Sequence, residues 1–505
     1  MNTSIPQPDR QVKSPCTWPE VLKSIARWLA IPAVARTGLL LLALGFIVYA
    51  IVIMLMRTCL PAQLDVFEGK LLSQAWEAAS GHKMYRDPIL YGAATMYSPI
   101  YPLLLAGLLK FVSPAFFWGR FISFIATCAT ACIFVIFFVK RTARGGTVAL
   151  LVAAMFASVA WQTDWFGSAL KCDALSLLFC VVALVLLLRP GKIVVLISGA
   201  LLCIAFFTKQ TAVIALPGAL IFVLINRRTD LLLFILSLGL SVLLVYPIMK
   251  WITGDYMAFY VFGRTLSQAE SHIQISRVMK NLFAIREMPL TLCGAVLALV
   301  WLPRLWPCAA YRMVCVSLPF LMVGSWITAS ARGAGPNSLM PGFYGLVFLS
   351  GFAIEGLLSW RRGETRSCVL IFIMLIFQFD SMWPYHLNKA KGDFDQHFIK
   401  LVDYLKSKQG KMYSPTDNVI TLLAGRPAYD DRAVAREITW HWQSDAGLKR
   451  IEAQMNSQEY DWLICSVSKN DFALLTPETQ KNYVMMKDFE EWVVYGKKSV
   501  HTVTP

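Results

Sequence analysis

Two carboxylates follow the first apolar run of the chain, in the segment LDVFEGKLLSQAWEAASGHKMYRD. Asp65 and Glu68 stand three residues apart, so a helix would place them on one face. A carboxylate held there could accept the proton of an attacking hydroxyl or amine, which is general-base chemistry. A structural role is the alternative, because the helix dipole favours acidic residues near the start of any helix. The sequence leaves open which of the two would be the base.

Two more charged residues lie at the ends of apolar runs. Asp173 opens one run in SALKCDALSLLF, and Lys209 separates two runs in FFTKQTAV. Ionisable side chains close to hydrocarbon are costly and are often functional. Asp173 could orient a substrate or a loop arginine, or only bond the amides at a helix start. Lys209 could bind an anionic group, or its ammonium could snorkel to the membrane surface.

The composition indicates what kind of element must hold these residues. Of the 505 residues, 57% are hydrophobic and only 15% are charged, whereas about a quarter of the residues of a soluble globular protein are charged. The chain is therefore expected to be a polytopic membrane protein. The net charge of +16 does not indicate nucleic acid, because membrane proteins collect Lys and Arg in their cytoplasmic loops.

The apolar runs predict the membrane topology. Runs suited to crossing about 30 Å of hydrocarbon lie near 37–56, 115–139, 146–162, 172–189, 192–208, 211–226, 231–251, 288–303, 312–330, 339–358 and 367–384. Basic clusters occupy every second connection, which places the N-terminus in the cytoplasm. A further apolar segment, 98–113, would break this alternation as a full span, so we expect it to be a juxtamembrane or re-entrant helix on the outer side.

This topology divides the chain into three parts. They are a cytoplasmic N-terminal segment (1–36), a multi-span transmembrane domain (37–384) with outer loops 57–114 and 252–287, and a polar tail (385–505) on the outer side. Apolar strands near 460–467 and 492–495 alternate in the tail with helices near 394–408 and 446–456. This alternation predicts a small α/β domain.

Several cations fall on the outer side, against the usual bias. Arg264 and Arg277 lie in the aromatic-rich loop 252–287, and Arg332 lies in the glycine-rich segment ASARGAGPNSLMPGF. Together with Lys209 they call for an anionic partner, and a phosphate that becomes a leaving group would be stabilised by such donors. An amphipathic segment on the membrane surface is the alternative interpretation of both loops.

The order of these motifs resembles a known class of enzymes. The acidic pair is followed by Tyr85 and Asp87, by the Tyr- and Pro-rich segment 97–111, and by Arg120 and Ser123 in WGRFISFI. This order is similar to the first third of GT-C class glycosyltransferases, which include the lipid A aminoarabinose transferases and the protein O-mannosyltransferases. The resemblance implies an all-α membrane fold of about 11–13 transmembrane helices and a sugar donor linked to polyprenyl phosphate.

The resemblance also implies roles for single residues. Asp65 or Glu68 would be the catalytic base, and Asp173, Tyr85 and Tyr97 would orient the acceptor or donor. The donor phosphate would be bound by Lys209, Arg264, Arg277 and Arg332.

The sequence thus predicts a bacterial inner-membrane glycosyltransferase that moves a sugar from polyprenyl phosphate to a lipid, glycan or protein acceptor at the periplasmic face, with inversion as the resemblance implies. No cofactor is indicated with certainty. A divalent metal is possible, but the six histidines are scattered and no oxygen-ligand motif is present. A secondary transporter or lipid flippase is the main alternative, and a structural subunit is the third. A transporter needs access from both sides, whereas this enzyme needs its polar residues on one face.

Overall fold

The computed structural model describes residues 32–87, 95–141, 144–163, 165–263, 276, 279, 285–331, 334–360, 364–380, 393–427, 446–468 and 470–498. The three arginines expected to bind the donor phosphate (Arg264, Arg277 and Arg332) and most of the loop 252–287 lie outside the described residues. The helices of ten or more residues are α1 (Pro32–Cys59), α2 (Val66–Ala79), α3 (Ile100–Leu109), α4 (Phe116–Val139), α5 (Gly145–Gln162), α6 (Asp173–Leu187), α7 (Lys192–Thr208), α8 (Leu216–Asn226), α9 (Leu231–Thr253), α10 (Pro289–Val300), α11 (Ala309–Ser330), α12 (Met340–Ser359), α13 (Glu364–Asp380), α14 (Asp393–Lys406) and α15 (Ala446–Asn456).

The apolar runs of the sequence coincide with helices of the bundle. In the described ranges, six helical stretches are long and apolar enough to cross a membrane: Ala33–Cys59, Phe116–Val139, Gly145–Gln162, Arg228–Thr253, Ala309–Ser330 and Pro336–Ser359. The shorter helices α6, α7, α8, α10 and α13 account for the other predicted runs. The expected helical, multi-span membrane fold is therefore confirmed.

Helix α3 corresponds to the segment that broke the alternation. Its ten residues reach about 15 Å at the α-helical rise, about half of the hydrocarbon thickness. One side of the helix is buried, with Tyr101 and Leu105 in a core that it shares with α2. Helix α3 is therefore too short to span a bilayer by itself.

The C-terminal part contains a four-stranded sheet, as the apolar strands of the tail predicted. Its strands are β1 (Met412–Tyr413), β2 (Trp462–Ser466), β3 (Tyr483–Asp488) and β4 (Trp492–Lys497), in the order β1-β2-β4-β3. β1 and β2 are parallel, and the other pairings are antiparallel. Strand β2 is buried throughout, because its apolar residues face helices on both sides of the sheet.

The tail does not pack separately from the membrane domain. One continuous core joins α2 and α3 to the tail, and its members include Leu71, Leu72, Ala75, Leu105, Phe398, Leu401, Leu405, Val419, Trp462, Ile464 and Val494. We call this end of the bundle the tail face. Gly69 of α2 lies so close to Val419 that an added Cβ would stand 2.7 Å from the valine Cγ1. Only glycine permits this approach of α2 to the tail helix Asn418–Leu423.

The opposite end of the bundle carries the predicted cytoplasmic cations, and we call it the basic face. Arg141 pairs with Glu355 at 2.5 Å, and Arg144 pairs with Glu364 at 2.8 Å. These pairs tie the start of α5 and the end of α4 to α12 and α13. The candidate site residues Asp65, Asp173 and Lys209 lie at the other end of their helices, on the tail face.

Candidate active site

Asp65 is the N-cap of α2. Its backbone is extended, and its Oδ1 accepts a hydrogen bond of 2.9 Å from the Phe67 amide, which is the standard arrangement for an acidic cap. The same oxygen receives the ammonium of Lys171 at 3.1 Å. The side chain is 27% exposed, and the described part of the chain brings no donor to Oδ2. Asp65 is therefore an oriented carboxylate with one oxygen left for a ligand.

Glu68 is fully buried and already has all its hydrogen bonds. Its Oε1 accepts from Arg120 Nε at 2.9 Å and from the Leu170 amide at 2.8 Å, and its Oε2 accepts from Arg120 Nη2 at 2.6 Å and from the Leu64 amide at 2.8 Å. Burial alone would raise the pKa of Glu68, but the charge and hydrogen bonds of Arg120 hold this pKa below its ordinary value. The two carboxylates thus bind different partners and do not act as a pair.

Arg120 uses every donor of its guanidinium. Besides Glu68, Nη1 donates to the carbonyls of Arg57 and Leu60, at 3.1 and 2.6 Å, and Nη2 donates to Ala62 at 2.7 Å. Three of these acceptors are carbonyls at the end of α1 and in the turn that follows it. Arg120 and Glu68 therefore join α1, α2 and α4 at the tail face through a buried ion pair.

The loop that carries Lys171 is held by side chains on one face of α4. Thr127 Oγ1 donates to the Gly167 carbonyl at 2.7 Å, and Ser123 Oγ donates to the Lys171 carbonyl at 2.9 Å. Arg120 acts on the same loop through Glu68, which accepts from Leu170. Positions 120, 123 and 127 share a helical face, so one stripe of α4 fixes the whole loop.

A second ion pair lies two residues further along the chain. Lys209, at the junction after α7, donates from Nζ to Asp173 Oδ1. Asn337 Nδ2 donates to the same oxygen at 2.9 Å. Asp173 Oδ2 is buried and has no hydrogen-bond partner among the described residues. A buried carboxylate oxygen without a hydrogen-bond partner is unfavourable. This oxygen is therefore a candidate acceptor for a hydrogen bond donated by a ligand.

A long apolar cavity opens beside this pair. It has about 90 Å³ of space for the centre of a water molecule, and Asp173, Lys209 and Asn337 contribute polar groups to its lining. The rest of the lining is mostly apolar and includes Leu177, Val181, Leu184, Leu188, Ala310, Met313, Tyr344 and Phe348, with Ser176, Thr211, Ser317 and Ser338 as further polar members. Because the lining runs from Asp173 to Leu188 along α6, the cavity is about 22 Å long at the α-helical rise. It suits a ligand with an anionic head and a long hydrocarbon chain.

The two predicted tyrosines, Tyr85 and Tyr97, are joined by a hydrogen bond. Tyr85 is fully buried, and its hydroxyl donates to the Tyr97 carbonyl at 2.5 Å. Burial raises the pKa of Tyr85, so this hydroxyl remains a donor. The ring of Tyr97 meets the ring of Phe67 edge-on, with 6.1 Å between centroids. Tyr85 therefore supports the backbone of Tyr97, and Tyr97 lies beside the helix start that carries Asp65.

Within the described ranges, no three His, Cys, Asp or Glu side chains are grouped so as to hold a metal ion. Sequence reasoning missed Lys171 as a site residue, and it singled out the glycine-rich segment that contains Asn337 for Arg332. Both follow from contacts between distant segments. The available signal was the triplet Lys171-Cys172-Asp173, which sets opposite charges at the start of a transmembrane run.

Comparison with known proteins identifies the fold. No protein-family model matches the sequence, and no curated protein matches it significantly. Among solved structures, the chain is similar to ArnT from Cupriavidus metallidurans bound to undecaprenyl phosphate, with a TM-score of 0.62 and 12% identity over 90% of this chain and 97% of that chain. The apo structure of the same ArnT gives a TM-score of 0.57 with the same coverage. The chain therefore has a GT-C-like fold, as the motif order implied.

Proposed function

We propose that this protein is a membrane glycosyltransferase that moves a sugar from a polyprenyl-phosphate donor to an acceptor on the tail face. The observation that carries the proposal is the mostly apolar cavity along α6, with the Lys209 ammonium beside Asp173 at one end of the helix. An ArnT of the same fold binds undecaprenyl phosphate, a lipid with these two properties.

Lys209 binds the donor phosphate in this proposal. An ammonium has three N–H donors, and Asp173 Oδ1 takes one of them. The others are available to phosphate oxygens, where they stabilise the charge that grows as the phosphate leaves. Asp173 Oδ2 accepts a hydrogen bond from a sugar hydroxyl, which supplies the partner that this oxygen lacks. The isoprenoid chain occupies the apolar cavity.

Asp65 is the base in this proposal. The acceptor oxygen or nitrogen attacks the anomeric carbon, and its proton passes to Asp65 Oδ2. The bond from the anomeric carbon to the phosphate oxygen breaks, and polyprenyl phosphate departs with the electron pair. A single displacement of this kind inverts the anomeric centre.

The chain segment between the two ion pairs supports this arrangement. Lys171 contacts Asp65 and Asp173 contacts Lys209, and the Cα atoms of residues 171 and 173 are at most about 7 Å apart. The proposed base and the proposed phosphate ligand are thus both paired with residues of the same three-residue segment. Glu68 is the weaker candidate, because its four hydrogen bonds leave no acceptor site for a proton.

The orientation in the membrane is part of the proposal: the tail face is periplasmic and the basic face is cytoplasmic, in a bacterial inner membrane. The cations of the basic face support this orientation through the positive-inside bias. Fusions of alkaline phosphatase and of green fluorescent protein after Pro505 test it. Phosphatase activity is expected, and fluorescence without phosphatase activity would reverse the orientation.

The function itself is tested by comparing glycolipids and intact protein masses between a deletion strain and its parent. A sugar increment that is lost on deletion and restored by the gene identifies the donor and acceptor together. Purified protein should bind undecaprenyl phosphate. Transport of that lipid across vesicles without any sugar increment would instead indicate the flippase alternative.

A further inference from the structure

Lys171 is a buried cation that the transfer reaction described above does not use directly. Its side chain is 5% exposed, and its ammonium contacts Asp65 Oδ1 at 3.1 Å. The same ammonium lies 5.2 Å from the centroid of the Phe67 ring. A buried ammonium is unfavourable unless it is paired, so the fold maintains this pair at a cost that requires an explanation.

The backbone on both sides of Lys171 is unusually well held. The Leu170 amide donates to Glu68, the Lys171 carbonyl accepts from Ser123, and the Lys171 amide donates to Ala169 at 2.7 Å. Gly119 allows the loop to approach α4, since an added Cβ there would lie 2.3 Å from Leu170 Cγ. The position of the Lys171 Cα is thus fixed by α2 and α4, not by the ion pair alone.

We propose that Lys171 is a positioning residue for Asp65. Its contact falls on the oxygen that also caps α2, so the Phe67 amide and the ammonium together fix the carboxylate plane from one side. Oδ2 is then directed away from both partners and toward the acceptor. This role rests on the proposed function, because it gives Asp65 the orientation that a base requires.

Loss of a positioning residue should lower turnover and leave lipid binding unchanged, whereas loss of a phosphate-binding residue should weaken lipid binding as well. Lys171→Met keeps the length of the side chain but removes the contact with Asp65, and the plane of the carboxylate can then turn about the Cβ–Cγ bond. A misplacement of about 1 Å in a catalytic group costs about 100-fold in rate. Turnover should therefore fall about 10- to 100-fold, whereas binding of undecaprenyl phosphate should stay within about twofold. Lys171→Arg should recover part of the turnover because it keeps the charge.

A double-mutant cycle makes the test specific. If Lys171 acts through Asp65, then Lys171→Met should cause no further loss of turnover in an Asp65→Asn background. Asn also caps helices well, so the background variant should fold. Lys250→Met is the control, since Lys250 pairs with Asp255 at 3.6 Å on the tail face and its loss removes the same charge away from Asp65.

The outcomes separate the two levels of the proposal. Full activity of Asp65→Asn would remove the base assignment and the proposed role of Lys171 with it. A low but measurable turnover in Asp65→Asn that falls by the same further factor when Lys171→Met is added would overturn the positioning role alone. Loss of undecaprenyl phosphate binding and of thermal stability in Lys171→Met, without rescue by Lys171→Arg, would also overturn it in favour of a purely structural pair.

Discussion

The ion pair between Lys209 and Asp173 gives the sharpest test of the phosphate site, but a single substitution cannot provide it. The two side chains are 10% and 4% exposed. Lys209→Met would leave a buried carboxylate with Asn337 as its only donor among the described residues, and breaking a buried pair from one side costs about 3–5 kcal/mol. Lost activity in that variant would therefore mix lost phosphate binding with lost stability.

The double variant Lys209→Met/Asp173→Asn separates the two effects. Both charges are removed, so its melting temperature in detergent should lie near that of the wild type and well above that of Lys209→Met. A hydrogen bond to a charged group is worth about 1.5–3 kcal/mol, which corresponds to roughly 10- to 150-fold in the dissociation constant of undecaprenyl phosphate. We expect the double variant to show this loss of affinity.

Two results would refute this reasoning. If the stable double variant bound undecaprenyl phosphate as tightly as the wild type, then Lys209 would not be a phosphate ligand. If the double variant melted as low as Lys209→Met, then the loss of stability would not come from an unpaired Asp173. The single variant Asp173→Asn completes the comparison of the two single variants with the double variant. It should also be destabilised, because it removes the negative charge that pairs with the buried Lys209 ammonium.

Three further predictions concern α2. Asp65→Asn should lower turnover by about 10²–10⁴ and leave the melting temperature near that of the wild type; retained turnover in a transfer assay would exclude Asp65 as the base. Glu68→Gln should have a lower free energy of unfolding than the wild type at pH 7. This difference should shrink below about pH 4.3, because a lowered carboxyl pKa stabilises the fold above that pH and the stabilisation is lost as the pH falls. A difference in unfolding free energy that is constant with pH would contradict the pairing with Arg120. Gly69→Ala should lower the stability of the fold by about 1–3 kcal/mol and reduce turnover. Adding Val419→Ala to this variant should recover part of the stability and part of the turnover, as measured in melting and transfer assays. No recovery would mean that the close contact with Val419 is not the cause of the loss.

The sequence predicted the membrane helices well because each is a continuous apolar run, and such a run has few alternatives in a bilayer. The tail was predictable for a related reason: α15 spans the expected 446–456, and β2 lies within the expected 460–467. The strand β3 was not predicted. Its residues are mostly exposed, so no burial pattern marked it.

The site was less predictable because its contacts join segments far apart in the chain. Spacing alone placed Asp65 and Glu68 on one helix face and left open which of them is the base. In the structure Asp65 lies just before the helix, and Glu68 is drawn into the core by Arg120, 52 residues away. The partner of Asp65, Lys171, lies on a third segment. Helical periodicity carries no information about such pairings, and only the packing of α2 on α4 brings them together.

The shared core of α2 and the tail has a consequence for biosynthesis. The helix that begins at Asp65 belongs to the same core as residues as late as Val494, so its final environment requires about 430 residues that are made after it. At about 5–20 residues per second, the early transmembrane helices are in the membrane for roughly 20 to 90 seconds before those residues exist. A chain interrupted in the tail can therefore insert its helices and still lack a finished site, so synthesis of the tail sets the moment at which the protein becomes active.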